Sequence, residues 1–110
     1  MLNKIIEQAQ PLIKEMERRS NADNEGYYLY GLIKGRKYVK IVSGTNSQFN
    51  PDGSALNRVA GFIDQDGNIL FAASWNAPAK GPSAVRGNLN VNNGFDALDD
   101  KGNIRYLRGW

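Results

Sequence analysis

The stretch Asn57-Arg58-Val59-Ala60-Gly61-Phe62-Ile63-Asp64, then Gln65-Asp66-Gly67-Asn68, then Ile69-Leu70-Phe71-Ala72-Ala73-Ser74-Trp75 decides the fold. Two apolar runs flank an Asp-Gly pair, which supplies the positive φ values of a two-residue type I′ turn. A turn at Asp66-Gly67 sets a register that pairs Phe62 with Phe71, Ala60 with Ala73 and Arg58 with Trp75 on one face. Gly61 and Ala72 then meet on the other face, beside Val59, Ile63 and Leu70. The small residues at its centre leave room for a helix. The aromatic row opposite needs either a second covering layer or a role as an exposed recognition surface.

A helix that fits lies upstream. Leu2, Ile5, Ile6, Ala9, Leu12, Ile13 and Met16 recur at spacings of three and four and make one apolar stripe. Pro11 either kinks this helix or opens a second piece near Gln10, and Glu15 can pair with Arg19 one turn on. Tyr27 to Ile33 reads as strand or short helix. The helix is favoured, with Asp23 or Asn24 as cap and Gly35 as stop. Arg36 to Val42 alternates as a strand, and Ser43 to Ser54, with Pro51-Asp52-Gly53, is a loop. The fold expected is α+β, a single domain over residues 1–110. Its N-terminal amphipathic helix packs on a small antiparallel sheet of three to four strands at 37–42, 57–64, 69–75 and, as a possible last strand, 103–109. The helix stripe with Val59, Ile63 and Leu70 forms the core.

Residues 99–110 echo the hairpin. Asp64 to Trp75 laid over Asp99 to Trp110 matches at five of twelve positions, Asp, Gly, Asn, Ile and Trp. The simplest reading is one turn-and-strand chemistry used twice; two copies are too few for a solenoid. Arg105 and Arg108 would guard an exposed last strand from unwanted pairing.

The 110 residues contain no cysteine and no histidine, which excludes disulfides, thiol nucleophiles, His-dependent triads and Cys- or His-based zinc chemistry. Asp64, Asp66 and Asn68 imitate the start of a calcium loop, but Trp75 stands where the terminal glutamate is required. Asp96, Asp99 and Asp100 form an ordinary acidic turn. The reading contains no catalytic residue, metal or cofactor. No apolar run approaches the roughly 18 residues of a membrane span, and no signal-peptide pattern opens the chain. The net charge of +3 is uneven: residues 34–94 hold seven basic and three acidic side chains, whereas 1–33 sum to −1 and 95–110 to zero.

That basic middle holds two candidate segments. Trp75 to Asn88 is a loop shaped by two prolines and two glycines, in which Lys80 and Arg86 can meet phosphate oxygens and Trp75 can stack on a base. Lys34 to Lys40 is basic, and in a strand Arg36, Tyr38 and Lys40 share one face. With Arg58 added, Arg36, Tyr38, Lys40, Arg58, Trp75, Lys80 and Arg86 are the candidate contacts to DNA or RNA. Thirteen asparagines offer further groove hydrogen bonds. The alternative is a protein-binding module that inhibits or retargets another protein through Tyr27, Tyr30, Phe62, Phe71 and Trp75, since tyrosine and tryptophan make interface anchors. A domain this small also invites homodimerisation through the open sheet face.

The hairpin followed by Ala73-Ser74-Trp75-Asn76-Ala77-Pro78-Ala79-Lys80 and by Arg86-Gly87-Asn88, together with the Lys37 to Val42 strand, resembles a small uncharacterised protein group of tailed bacteriophages, especially phages of marine bacteria. The resemblance covers roughly residues 36–90, and Gly81 to Val85 departs from the pattern as an insertion before Arg86. It implies a phage origin and a place in the host cell cytoplasm, and it carries no activity and no catalytic residues. The function expected is a non-catalytic accessory protein that binds nucleic acid through a basic and aromatic surface; under the alternative, the resemblance implies that the module inhibits or retargets a host or phage protein.

Overall fold

A computed structural model of the protein describes residues 2–22, 28–45, 58–75, 77–81 and 84–105. Two helices, Leu2–Gln8 (α1) and Gln10–Ser20 (α2), precede five strands: Tyr28–Lys34 (β1), Val39–Thr45 (β2), Arg58–Ile63 (β3), Asn68–Leu70 (β4) and Val85–Asn88 (β5). The strands make one antiparallel sheet in chain order, and a 3-10 segment, Asn92–Ala97, follows. This is the α+β architecture expected, with N-terminal helices packed on an antiparallel sheet, but with five strands among the described residues instead of three or four.

Pro11 opens α2, where a missing backbone donor is harmless. The bonds Ala9 N–H to Ile5 O and Ile13 N–H to Ala9 O carry the chain across the break. The apolar stripe is the core face: Leu2, Ile5, Ala9, Leu12, Ile13 and Met16 are all buried. They meet Val39, Ile41, Ile63 and Ile69 from the sheet and Leu89, Ala97, Leu98 and Ile104 from the C-terminal part. Each large side chain removed from water there contributes roughly 1.5–3 kcal/mol.

The helix expected at 27–33 is a strand. A short apolar run has no period that separates the two states, and pairing decides it: seven residues of β1 align with β2, from Tyr28 opposite Thr45 to Lys34 opposite Val39. Gly35 is not a helix stop. It closes the hairpin, donating to Tyr38 O at 2.9 Å, where a Cβ would press on that same carbonyl. The strand expected from Arg36 begins only at Val39, because Arg36 and Lys37 form the turn. Asp23, Asn24 and the Pro51-Asp52-Gly53 loop lie outside the described residues.

The central hairpin exists, but its register differs from expectation by one residue. Phe62 faces Leu70 and Ile63 faces Ile69. The cause is Asp64, whose Oδ1 accepts the N–H groups of Asp66 and Asn68, both at 2.9 Å. The loop is therefore three residues long, with Gly67 N–H donating to Asp64 O and Gly67 at φ +84°, a type I turn closed by a left-handed glycine. Ile63 and Ile69 consequently face the helices, while Val59 and Leu70, expected in the core beneath them, pack on the opposite face. Ile104, and no helix, sits against Gly61: a Cβ there would lie 3.1 Å from Ile104 Cγ1.

β4 ends at Leu70 rather than at residue 75. Phe71 turns to donate to Ala84 O, and Ala79 donates back to Phe71 O at 2.7 Å. The sequence echo is a true structural repeat of the turn. Asp99 Oδ1 accepts from Lys101 and Asn103, Gly102 donates to Asp99 O at φ +84°, and Leu98 bridges Ile104 as Ile63 pairs Ile69. Beyond that bridge no strand is seen among the described residues, and 106–110, with Arg108, lie outside them. Arg105 is engaged and guards no edge: its N–H donates to Ala97 O and its side chain to Leu98 O.

The two equivalent glycines predict different costs. Gly67→Ala meets only ordinary contacts and should lose about 1–2 kcal/mol to the left-handed conformation. Gly102→Ala adds a clash of its Cβ with the Met16 carbonyl and Ser20 Oγ, so denaturant titration should find it the more destabilised.

Glu15 yields a pH test. Hydrogen bonds from Arg18, and then Arg19, hold its carboxyl down from 4.5 to about 2 despite some opposing desolvation. A lowered folded-state value means the contribution is complete above about pH 4.5 and fades as pH falls towards 2. Glu15→Gln should therefore melt lower than the parent at pH 6, by an amount equivalent to about 1 kcal/mol or less. The two melting curves should converge near pH 2.

Candidate functional site

The sheet face away from the helices carries a second cluster, Phe62, Leu70 and Ala84 buried with Tyr38, Val59, Ala72, Ala79 and Val85 around them. Part of its cover comes from the excursion after β4, pinched by the Ala72 to Pro78 bridge. In that excursion Ala73 and Ser74 both donate to Ala77 O, and Trp75 projects at 41% exposure. The excursion returns the tryptophan over β2, where the Lys40 ammonium lies 4.2 Å from its ring centroid. Such a contact contributes about 0.5–1 kcal/mol when solvent-exposed.

Beside Lys40 the β1–β2 hairpin and β3 enclose a depression of about 350 Å³, lined by Ile33, Gly35, Arg36, Lys37, Tyr38, Lys40 and Phe62. Register explains the gathering: Ile33 faces Lys40 across β1–β2 and Lys40 faces Phe62 across β2–β3, so the three share one face. The Tyr38 ring stands edge-on to Phe62, centroids 6.0 Å apart at 71°, which holds both rings in place. Three cations and no carboxylate line the depression. Among the described residues the ion pairs are those of Glu15 with Arg18 and Arg19, on α2.

The structure thus brings together Arg36, Tyr38, Lys40 and Trp75 from the expected set. Arg36 joins through the turn and not through a strand face. Lys80 and Arg58 are exposed elsewhere; Arg58 opens β3 opposite Ser43, next to the oppositely directed Val59. Arg86 is a different kind of residue. It is 9% exposed, donates from Nε to Arg105 O at 2.8 Å and lies 5.0 Å from the Phe71 ring centroid. Its guanidinium ties β5 to the C-terminal segment inside the protein.

The aromatic row of the alternative reading is not formed. The actual register sends Phe62 and Phe71 to opposite faces, the latter against the main core. Tyr30 is anchored on α2, its hydroxyl 2.7 Å from Ser20 Oγ and its N–H on Glu17 Oε2. Tyr27 lies outside the described residues. The asparagines also have local work: Asn68 and Asn88 bond each other, and Asn88 further bonds the Asp66 carbonyl and the Asn90 N–H. Sequence reasoning missed Ile33 and Phe62 as partners of the basic turn, because only register places them there. It also passed over Lys37, whose basic neighbours were the available signal. Among the described residues no three acidic side chains converge as a metal site would require, and no helix is long and apolar enough to cross a membrane.

The fold and site define a small α+β domain with a cation-lined aromatic depression on its helix-free face. The chain belongs to a family of unknown function, DUF7717, whose model matches residues 1–107. No curated protein and no solved structure matches it.

The burial of Arg86 predicts a stability effect. Arg86→Ala removes the donor to the Arg105 carbonyl and should cost about 2 kcal/mol in denaturant titration. Lys80→Ala, at an exposed position, should stay within about 0.5 kcal/mol of the parent.

Proposed function

We propose that this protein is a non-catalytic accessory module that binds nucleic acid through the β1–β2 turn and the adjoining helix-free face. One observation carries the reading: Arg36, Lys37 and Lys40 surround a depression walled by Tyr38 and Phe62, with Trp75 stacked on Lys40 and no carboxylate in the lining. Unneutralised cations beside the half-buried Tyr38 ring and the exposed Trp75 ring suit a polymer of phosphates and bases. The engaged cations, Arg86 with a carbonyl and Arg18 and Arg19 with Glu15, are set apart from this group. The resemblance to a tailed-phage protein group supports a setting in the cytoplasm of an infected cell.

Fluorescence anisotropy with labelled DNA and RNA at two salt concentrations tests this. Binding should weaken steeply with salt, and Arg36→Ala/Lys37→Ala should reduce the slope of log affinity against log salt by roughly 1.5–2, as expected for two lost phosphate contacts. Both positions are exposed in the turn, so the melting temperature should hardly move. Absence of binding at low salt would overturn the proposal, as would salt-tolerant capture of a protein partner unaffected by the double variant.

A further inference from the structure

Resting on that reading, we infer that the ligand is a single strand, with one unstacked base seated in the depression and its neighbour on Trp75. A duplex hides the faces of its bases in the stack and offers the protein phosphates and groove edges. Against such a ligand the apolar lining of Ile33, Tyr38 and Phe62 would gain nothing. A splayed base, by contrast, can bury a π-face there while its phosphates remain with the cations.

Four features of the site fit this occupant. Its volume of about 350 Å³ suits one base with its sugar, at the small end of ligand pockets. Ile33 is held 47% exposed at the rim, an apolar surface left in water where a base would cover it. Arg36 and Lys37 in the turn and Lys40 on β2 supply cations for a sugar–phosphate backbone at the depression. Lys40 also touches Trp75, so the strand that leaves the depression at Lys40 meets a second aromatic ring. The helices offer no comparable surface for a groove, because two of the three cations of α2, Arg18 and Arg19, are paired with Glu15.

The test uses strands of about ten nucleotides, within the range one small binding fold covers: a DNA strand, the same sequence as RNA, its DNA duplex, and a strand of abasic sites. The protein carries Trp110→Phe, which leaves Trp75 as the one remaining tryptophan. At one low salt concentration the base-bearing strands should bind about tenfold or more tighter than either the duplex or the abasic strand, the size of one lost stack. Saturation with a base-bearing strand should change the Trp75 emission, and the duplex should not. Trp75→Ala and Ile33→Ser, both at exposed positions and neither adding charge, should weaken single-strand binding about tenfold and leave duplex binding unchanged. A preference for DNA or RNA would identify the sugar and support the inference in either case. Equal affinity for abasic strand, duplex and single strand would overturn the base seat while leaving the electrostatic surface intact. No binding of any of the four at low salt would overturn both.

Discussion

The carboxylate of Asp64 sets the β3–β4 register and with it which side chains of β4 build the core under the helices. By accepting two backbone N–H groups of its own loop, it lengthens the hairpin connection to three residues and moves the second strand one place along the first. In a pleated sheet that single step exchanges the faces of every side chain on the shifted strand. Ile69 therefore joins Ile63 under the helices, and Leu70 joins Phe62 on the other side. The β1–β2 and β2–β3 registers separately bring Ile33, Lys40 and Phe62 to that second face, where they line the depression. The turn decides which side chain of β4, Leu70, packs with Phe62 there.

The same turn at Asp99 shows what local chemistry does and does not decide. Both loops have the side-chain cap, the left-handed glycine and the apolar pair that flanks them. They dock on different elements. The first receives the Leu89 N–H on Gly67 O and so joins the start of the C-terminal segment. The second lies at the end of α2, where Arg19 donates to Asp99 O and Ser20 to Lys101 O. One sequence signal makes one local shape, and the surroundings decide which parts of the fold that shape clamps together.

What was legible in the sequence follows from this division. The stripe from Leu2 to Met16 and the break at Pro11 are local patterns, and both appear as read. So do the existence of the central hairpin and the repeat of its turn. The register was not legible, because Asp-Gly serves both a two-residue turn and the last part of a three-residue one, and the choice rests on whether Asp64 caps the loop. Tyr27 to Ile33 reads wrongly as helix because a run of tyrosine, leucine and isoleucine broken only by Gly31 satisfies either secondary structure until a partner strand is present. At the candidate site, Arg36, Tyr38 and Lys40 are grouped in the sequence as one strand face; the structure brings them together, but only Lys40 lies on the strand, and Arg36 joins through the turn. The contact of Lys40 with Trp75 spans the whole hairpin and had no sequence signature. Arg86 resembles Lys80 in composition and context, and only burial separates them.

That separation also explains where the basic excess of the middle segment is felt. A guanidinium within the protein must have its donors satisfied, and Arg86 is held against a carbonyl and an aromatic ring. Its charge is directed inward and adds little to the surface opposite. Arg36, Lys37 and Lys40 lie within five residues on a tight turn and strand and line one depression, so their fields add in that space, screened over roughly 8 Å in physiological salt. Like charges gathered around an apolar hollow oppose one another and gain nothing from the hollow, so the arrangement works against the stability of the isolated domain. Proteins retain such a local conflict chiefly where a ligand resolves it. An anionic, partly apolar occupant would neutralise the cations and cover Ile33 in one step. That is the physical reason for placing the site here rather than at Arg58 and Lys80, which are exposed but do not line the depression.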